Sequence, residues 1–206
     1  MIFRDRADAG ARLADECSRF AGPGALVVGI PRGGVPVARV VATRLGAPLD
    51  VIVVRKLGLP TNQEVAMGAI GEGVRVVDDE LVHAVGVSTG QLARVEQTER
   101  AELERRVSRY RAGRHPLAAA GKTVLVVDDG IATGATMRAA CAVVRALGAE
   151  SVVAAVPVAP TDWRPRPGVD ADELVCVTRP ANFFAVGQWY ADFTQTTDDE
   201  VRAALR

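Results

Sequence analysis

The sequence predicts an α/β fold in which a parallel sheet forms the core and helices flank it. Residues 25–54 and 124–156 repeat one order: a short aliphatic run, a turn, an amphipathic helix closed by glycine, and a second aliphatic run. The runs are continuous, as in Val124-Leu125-Val126-Val127, which is the pattern of strands covered on both faces. A helix between successive strands is the connection that parallel pairing requires. With 49% apolar residues in 206, the chain can bury such a core. No stretch of about 18 residues is free of charges and turn formers, so a membrane span is not expected.

Arg6 to Phe20 sets Ala7, Ala11, Leu13, Ala14 and Cys17 at near-helical spacing and stops before Gly22-Pro23-Gly24, predicting a leading scaffold helix. Ala25 to Ile30 predicts a strand and Pro31-Arg32-Gly33-Gly34 a turn. Val35 to Leu45 predicts a helix ended by Gly46, and Val51 to Val54 a second strand. An insertion follows from Leu57 to Gly121. Its Gly-rich first part, through Gly73, reads as a loop, and its second part as a long polar helix. Ser88 is the candidate N-cap there, and Leu92, Val95, Leu103, Val107 and Tyr110 make a broken apolar stripe. Glu96/Arg100 and Glu102/Arg106 place acid four residues before base, worth about 0.2–0.5 kcal/mol each on a solvated face. Val124 to Val127 predicts a strand, Ala135 to Leu147 a helix closed by Gly148, and Val152 to Val156 another strand. The proline-rich piece from Pro157 to Gly168 reads as a linker to a last segment, where Phe183, Phe184, Trp189, Tyr190 and Phe193 cluster.

Twenty-five basic and 25 acidic residues cancel, so no global field favours DNA or an anionic membrane. Any anion site is therefore local, and a small-molecule partner is expected. Cys17, Cys141 and Cys176 lack CxxC spacing and read as reduced, buried thiols. Met1-Ile2-Phe3-Arg4-Asp5-Arg6 carries charges where a signal peptide needs an apolar stretch, so a cytoplasmic setting is expected. His83 and His115 have no second ligand type at zinc spacing, so a dedicated protein-borne metal set is not expected.

The chemistry lies in Val124-Leu125-Val126-Val127-Asp128-Asp129-Gly130-Ile131-Ala132-Thr133-Gly134-Ala135-Thr136. Backbone N–H groups from Ala132 to Thr136, at a helix N-terminus and beside the hydroxyls of Thr133 and Thr136, can hold a phosphate. Gly134 lets the backbone close around the anion. Asp128 and Asp129 would repel a phosphate, so sugar hydroxyls or a divalent cation are their partners. A phosphorylated ribose satisfies both halves.

This segment resembles the phosphoribosyl-diphosphate (PRPP) signature of type I phosphoribosyltransferases, with Gly130 where a bulkier apolar residue is common. The resemblance implies that Asp128 and Asp129 contact the ribose hydroxyls and that Ala132, Thr133, Gly134, Ala135 and Thr136 take the 5-phosphate. Gly29 to Gly34, with Arg32 offering a guanidinium fork and Gly33 and Gly34 allowing close approach, is the candidate diphosphate loop. Arg55-Lys56 resembles the Arg-Lys pair that orotate-type members place on diphosphate. Only two of the 25 basic residues are lysines, so Lys56 stands out. Leu57 to Gly73 is similar to the family's mobile loop, with Glu64 as its candidate polar contact. The aromatic cluster matches the acceptor-binding hood, with Trp189 and Tyr190 as stacking surfaces or, alternatively, as the core of a C-terminal flap.

The resemblance spans most of the chain, including Ile30 to Ala38, Arg55 to Gly58, Ala66 to Ile70 and Val186 to Tyr190. It implies one domain over residues 1–206, with core at about 22–56 and 122–160, insertion at 57–121 and hood at 161–206. Also implied are Mg2+ carried mainly by PRPP and touching Asp128 and Asp129 at most, a small-molecule acceptor such as a nucleobase, diphosphate release, and a homodimer. Catalytic roles would fall to Asp128, Asp129 and Lys56. Other enzyme classes fit poorly. Gly121-Lys122-Thr123 lacks the upstream glycine of a Walker A loop, Gly29 to Gly34 is not Gly-x-Gly-x-x-Gly, and no Gly-x-Ser-x-Gly occurs. The rival is a PRPP-binding sensor without transferase activity.

Overall fold

The computed structural model describes residues 2–111, 115 and 117–206, and all of their side chains but that of Glu64. Helix α1 (Arg6–Glu16) starts at Asp5, whose carboxylate accepts the Asp8 N–H at 2.8 Å. Strand β1 (Ala25–Gly29), helix α2 (Gly34–Leu45) and strand β2 (Leu49–Val51) form the first β-α-β unit. Next come β3 (Val54–Leu59), β4 (Asn62–Gly71) and β5 (Val74–Val77), then α3 (Asp79–Ala84) and α4 (Thr89–Arg111). Ser88 caps α4 as expected, accepting the Gln91 N–H at 3.3 Å while Gln91 accepts the Ser88 N–H. The second unit is β6 (Thr123–Val127), α5 (Ala135–Ala146) and β7 (Ser151–Val158), followed by β8 (Glu173–Thr178) and α6 (Asp198–Ala204).

The core is a five-stranded parallel sheet in the order β2-β1-β6-β7-β8. Strands β1 and β6 are buried at nearly every position, because α1 and α2 cover one face and α5 the other. Leu26, Val28, Val124 and Val126 face the α5 side, and Val27, Leu125 and Val127 the α1/α2 side. Cys17 and Cys141 fill these layers, and burial pushes the Cys17 thiol up to about 12, so both behave as small hydrophobes.

The structure corrects three expectations. The run from Val51 to Val54 is two strand ends: β2 stops at Val51 and β3 starts at Val54 in a separate antiparallel sheet, β3-β4-β5. The chain passes between two cores here, with Ile52 in one apolar cluster and Val51 and Val53 in another. The expected loop at Leu57 to Gly73 is largely that sheet. Gly58 and Gly68 mark backbones in contact: a Cβ on Gly58 would stand 2.7 Å from the Gln63 carbonyl oxygen, and one on Gly68 would meet that of Val76. Finally, the parallel sheet continues past residue 160, since β8 pairs with β7 through Val153↔Glu173 to Val158↔Thr178. Leu174-Val175-Cys176-Val177 is an aliphatic run behind a proline-rich crossover, and the crossover hid it.

Arg111 ties the insertion to the core. It is 6% exposed and pairs with Asp50 at 2.8 Å and Glu72 at 2.8 Å, while donating to the Val51 carbonyl at 3.1 Å. Among the described residues no helix is long and apolar enough to cross a membrane. Arg111→Met would strand two carboxylates in a partly buried site. A loss of about 3–5 kcal/mol is expected in urea unfolding, the range for removing one partner of a buried ion pair; a loss below about 1 kcal/mol would show that Arg111 is dispensable.

Candidate active site

Because β1 and β6 are neighbours in register, the loops leaving their carboxyl ends meet. Asp128 and Asp129 follow β6, and Pro31 to Gly34 follow β1 into α2. The peptide between Pro31 and Arg32 is cis. The two loops touch closely enough to dictate sequence. A Cβ on Gly34 would lie 2.6 Å from the Val127 carbonyl oxygen and 2.9 Å from Asp128 Oδ1, and one on Gly33 would run into Asp129 Oδ2. Gly33 and Gly34 therefore make room for the carboxylates, whatever else they admit. Gly130 is explained similarly: a Cβ there would stand 2.6 Å from Val186 Cγ1, so the departure from the family pattern reflects packing against the C-terminal segment.

Both carboxylates are partly buried. Asp128 Oδ1 accepts the Asp129 N–H at 2.9 Å. Asp129 Oδ2 takes Arg6 Nε at 2.9 Å and Nη2 at 2.8 Å, with both side chains about seven-eighths buried. Arg6 also donates to the Thr194 carbonyl at 2.7 Å and lies 4.3 Å from the Phe193 ring centre.

The candidate phosphate loop is open. Ala132, Thr133 and Thr136 are exposed at the start of α5, whose first-turn N–H groups have no partner within the helix. Gly134 adopts φ +81° as the residue before α5, and Thr133 Oγ1 accepts the Ala135 N–H at 3.4 Å. Beneath it Trp163, 5% exposed, packs its indole edge where a Gly134 Cβ would be, and Nε1 has no hydrogen-bond partner among the described residues. Arg138 covers that ring at 4.9 Å and pairs with the buried Asp170.

A cavity of ≈ 330 Å³ joins Pro31, Arg55, Lys56, Gln63, Arg106 and Thr136. Arg55 and Lys56 border it from opposite faces of β3, as strand alternation demands. Lys56 shares the face of Val54, which packs with α5, whereas Arg55 turns to α4 and pairs with Glu99 at 2.6 Å. Arg32 does not line this cavity. Its guanidinium is 4.0 Å from Asp198, which already accepts Tyr110 Oη at 2.7 Å and pairs with Arg109. Glu64, the proposed polar contact, has its side chain outside the described residues.

The aromatic cluster divides. Tyr190 is 6% exposed, stacks on Phe3 at 5.4 Å and Phe193 at 5.0 Å, and donates its hydroxyl to the Asp129 carbonyl at 2.6 Å. It packs as flap core, with Trp189, partly buried, against it. Phe184 is the ring left open, 87% exposed. With Phe183, Asp162, Trp163, Ala132 and Thr133 it borders a cavity of ≈ 520 Å³ beside the phosphate loop. Sequence reasoning did not reach Arg6, Asp162 or Trp163. None has a local signature, though each lies just before or after a core element.

A family model described as the phosphoribosyl transferase domain matches residues 3–193. The chain belongs to that family. It is 53% identical over 205 residues to a Mycobacterium tuberculosis protein with a provisional phosphoribosyl transferase name, covering 99% of this chain and 46% of that protein. The chain thus spans about half the length of the curated relatives it matches. The crystal structure of TT1426 from Thermus thermophilus superposes with a TM-score of 0.92 at 44% identity, covering 100% of this chain and 98% of that one. A hypoxanthine-guanine phosphoribosyltransferase from Bacillus anthracis shares the fold, with a TM-score of 0.51 at 11% identity over 89% of this chain and 85% of that one.

In this phosphoribosyl transferase domain the acidic pair is electrostatically uneven. Burial raises the pKa of both carboxyls, and the Asp129 carboxylate further opposes ionisation of Asp128. Arg6 counters this mainly at Asp129, which it contacts, so Asp128 holds a proton to the higher pH. A pKa raised by folding means that the folded state binds more protons, so the associated stability is present at low pH and lost as pH rises. Asp128→Asn, which can still accept the Asp129 N–H, should therefore raise the melting temperature near about pH 7.5, with the difference shrinking towards about pH 4. Asp129→Asn also takes the partner from Arg6, so it should melt below Asp128→Asn across that range. Equal melting shifts of the same sign for the two variants would contradict the asymmetry.

Proposed function

We propose that this domain transfers a 5-phosphoribosyl group from PRPP to a ring nitrogen of a planar heterocycle and releases diphosphate. The observation that carries the reading is the meeting, on adjoining strands β1 and β6, of two loops suited to anions with Asp128 between them. The first turn of α5 with Thr133 and Thr136 takes the 5-phosphate, Asp128 meets the ribose hydroxyls, and the cavity at Pro31 and Lys56 receives the diphosphate. The cavity at Phe184 takes the acceptor: its open ring offers a stacking face, and Asp162 offers a carboxylate to an N–H edge.

The C1–O bond to diphosphate breaks with its electron pair leaving on the diphosphate, and the acceptor nitrogen bonds to C1. The proton displaced from that nitrogen passes to Asp162. Catalysis is positional and electrostatic: the loops align donor and acceptor, and Asp128 faces the positive charge that develops on the ribose ring. Among the described residues no three potential metal ligands of the His, Cys, Asp or Glu type come together, which suits an ion that arrives on the diphosphate. Mg2+ bound there, with Asp128 at hand as a protein ligand, would neutralise the leaving group alongside Lys56.

The second reading, a PRPP-binding domain without transfer, is favoured by one observation: Asp129 is already engaged by Arg6. Calorimetric titration with PRPP and Mg2+, followed by diphosphate release over a panel of purine and pyrimidine bases, separates the two. Binding with release supports the transferase, binding with no release from any base supports the sensor, and no binding overturns both. In the transferase Lys56→Ala should lower kcat by more than it weakens PRPP binding, because charge on diphosphate peaks as the bond breaks. Phe184→Ala should raise the acceptor KM about tenfold, or about 1.4 kcal/mol, and Asp162→Asn should raise it and lower kcat as well, with PRPP affinity little altered in either. An unchanged KM in both would place the acceptor elsewhere.

A further inference from the structure

We infer that the long insertion helix α4 is part of the diphosphate site and that Arg106 on it is a diphosphate-binding residue, an inference that rests on the PRPP reading. The cavity of ≈ 330 Å³ assigned above to the diphosphate is walled on one side by this helix, through Val95, Glu99 and Arg106. These three positions and Glu102 fall on one face of an α-helix, so the acid-base spacing that reads as a solvated face in the sequence stands partly at the cavity. The helix is fixed along its length. Leu92, Leu103 and Tyr110 share a buried cluster with Leu57, Met67 and Ile70 of the antiparallel sheet. Glu96 holds Arg75 of β5 at 2.8 Å, and Arg111 closes the C-terminal end on Asp50 and Glu72.

Arg55, named from the sequence, is not the cation best placed to take a new anion. Its Nε donates to Glu99 at 2.6 Å, with both side chains about three-quarters buried, so much of its charge is already met. Arg106 is held more loosely. Its Nε donates to Glu102 at 2.6 Å, and its two Nη groups make no hydrogen bond among the described residues. Glu102 also receives Nε and Nη2 of Arg105, each at 2.8 Å, so it keeps a two-pronged partner when Arg106 turns to a ligand. The exchange leaves no carboxylate unpaired. A guanidinium fork grips two phosphate oxygens at once, and Arg106 would bring that fork to the group on which charge grows as the C1–O bond breaks.

The test titrates the full chain calorimetrically, in the presence of Mg2+, with PRPP, inorganic diphosphate and ribose 5-phosphate, the last of which lacks the diphosphate. Arg106→Gln should bind PRPP and diphosphate about tenfold more weakly, and ribose 5-phosphate within about twofold of wild type. Arg105→Gln removes the neighbouring guanidinium, which does not line the cavity, and should leave all three affinities within about twofold of wild type. Equal PRPP affinities in the two variants would overturn the assignment, as would a loss of ribose 5-phosphate binding as large as that of PRPP in Arg106→Gln. Wild-type protein supplies an independent reading. Diphosphate should shield Arg106 from phenylglyoxal, read by mass spectrometry, and ribose 5-phosphate should not; labelling of Arg106 that diphosphate leaves unchanged would remove α4 from the site. Wild-type protein that binds neither PRPP nor diphosphate would instead overturn the donor reading itself.

Discussion

Two carboxylates held side by side at the end of one central strand are the constraint on which the rest of the structure depends. Neither can be withdrawn into the sheet, because the positions before them are filled by Val126 and Val127, both fully buried. Neither is fully hydrated, because the Pro31–Gly34 loop lies across them. The unfavourable charge is answered in two ways. Glycines at 33 and 34 let backbone approach the acids, and Arg6 is brought from the first turn of α1 to neutralise one of them. Stability given up at this pair is repaid by large aliphatic layers on both faces of the sheet, so the site can hold an electrostatic arrangement that an isolated hairpin could not.

That constraint explains an arrangement of the termini that otherwise looks arbitrary. Phe3 forms a parallel bridge with Tyr190, the segment after it bonds Ala191 and Asp192, and Arg6 follows within a turn. The N-terminal strand-like start therefore lies beside the C-terminal segment directly over Asp129. Tyr190 has two tasks in one side chain: its ring closes a small apolar cluster, and its hydroxyl, kept protonated by burial, donates to the Asp129 carbonyl. A residue so placed is core and support together.

The legibility of this protein in its sequence follows the range of the interactions. The two β-α-β units and the small-residue loop at 132–136 were readable because each is fixed within about thirty residues by periodicity, caps and glycines. The antiparallel sheet at 54–77 was not, because its glycines signal loop when taken one at a time and backbone contact only when Gln63 and Val76 are seen beside them. Strand β8 escaped for a related reason, since three prolines in the crossover before it, with Pro157 at the end of β7, look like the end of the core. At the site, Asp128 and the loop were named from local order and Lys56 from a family resemblance and the rarity of lysine, but Arg6 sits 123 residues from its partner. No pattern of spacing carries a contact of that range.

The same distinction separates the two ends of the proposed substrate complex. The donor end is built from strand-to-helix turns, whose geometry is dictated by the sheet and so changes little without loss of fold. The acceptor end is assembled from the crossover after β7 and from the stretch around Phe184, where side chains are exposed and few backbone bonds restrict them. Trp163 joins the two: its ring seats Gly134 of the phosphate loop, while its neighbour Asp162 reaches the acceptor cavity. Arg179, which donates to the carbonyls of Pro160, Thr161 and Trp163, holds that crossover in place from the end of β8. If the acceptor binds as proposed, a change of acceptor is expected at Asp162 or Phe184, which do not touch Gly134, whereas a change at Trp163 would reach both ends, because its indole packs against Gly134 and borders the same cavity.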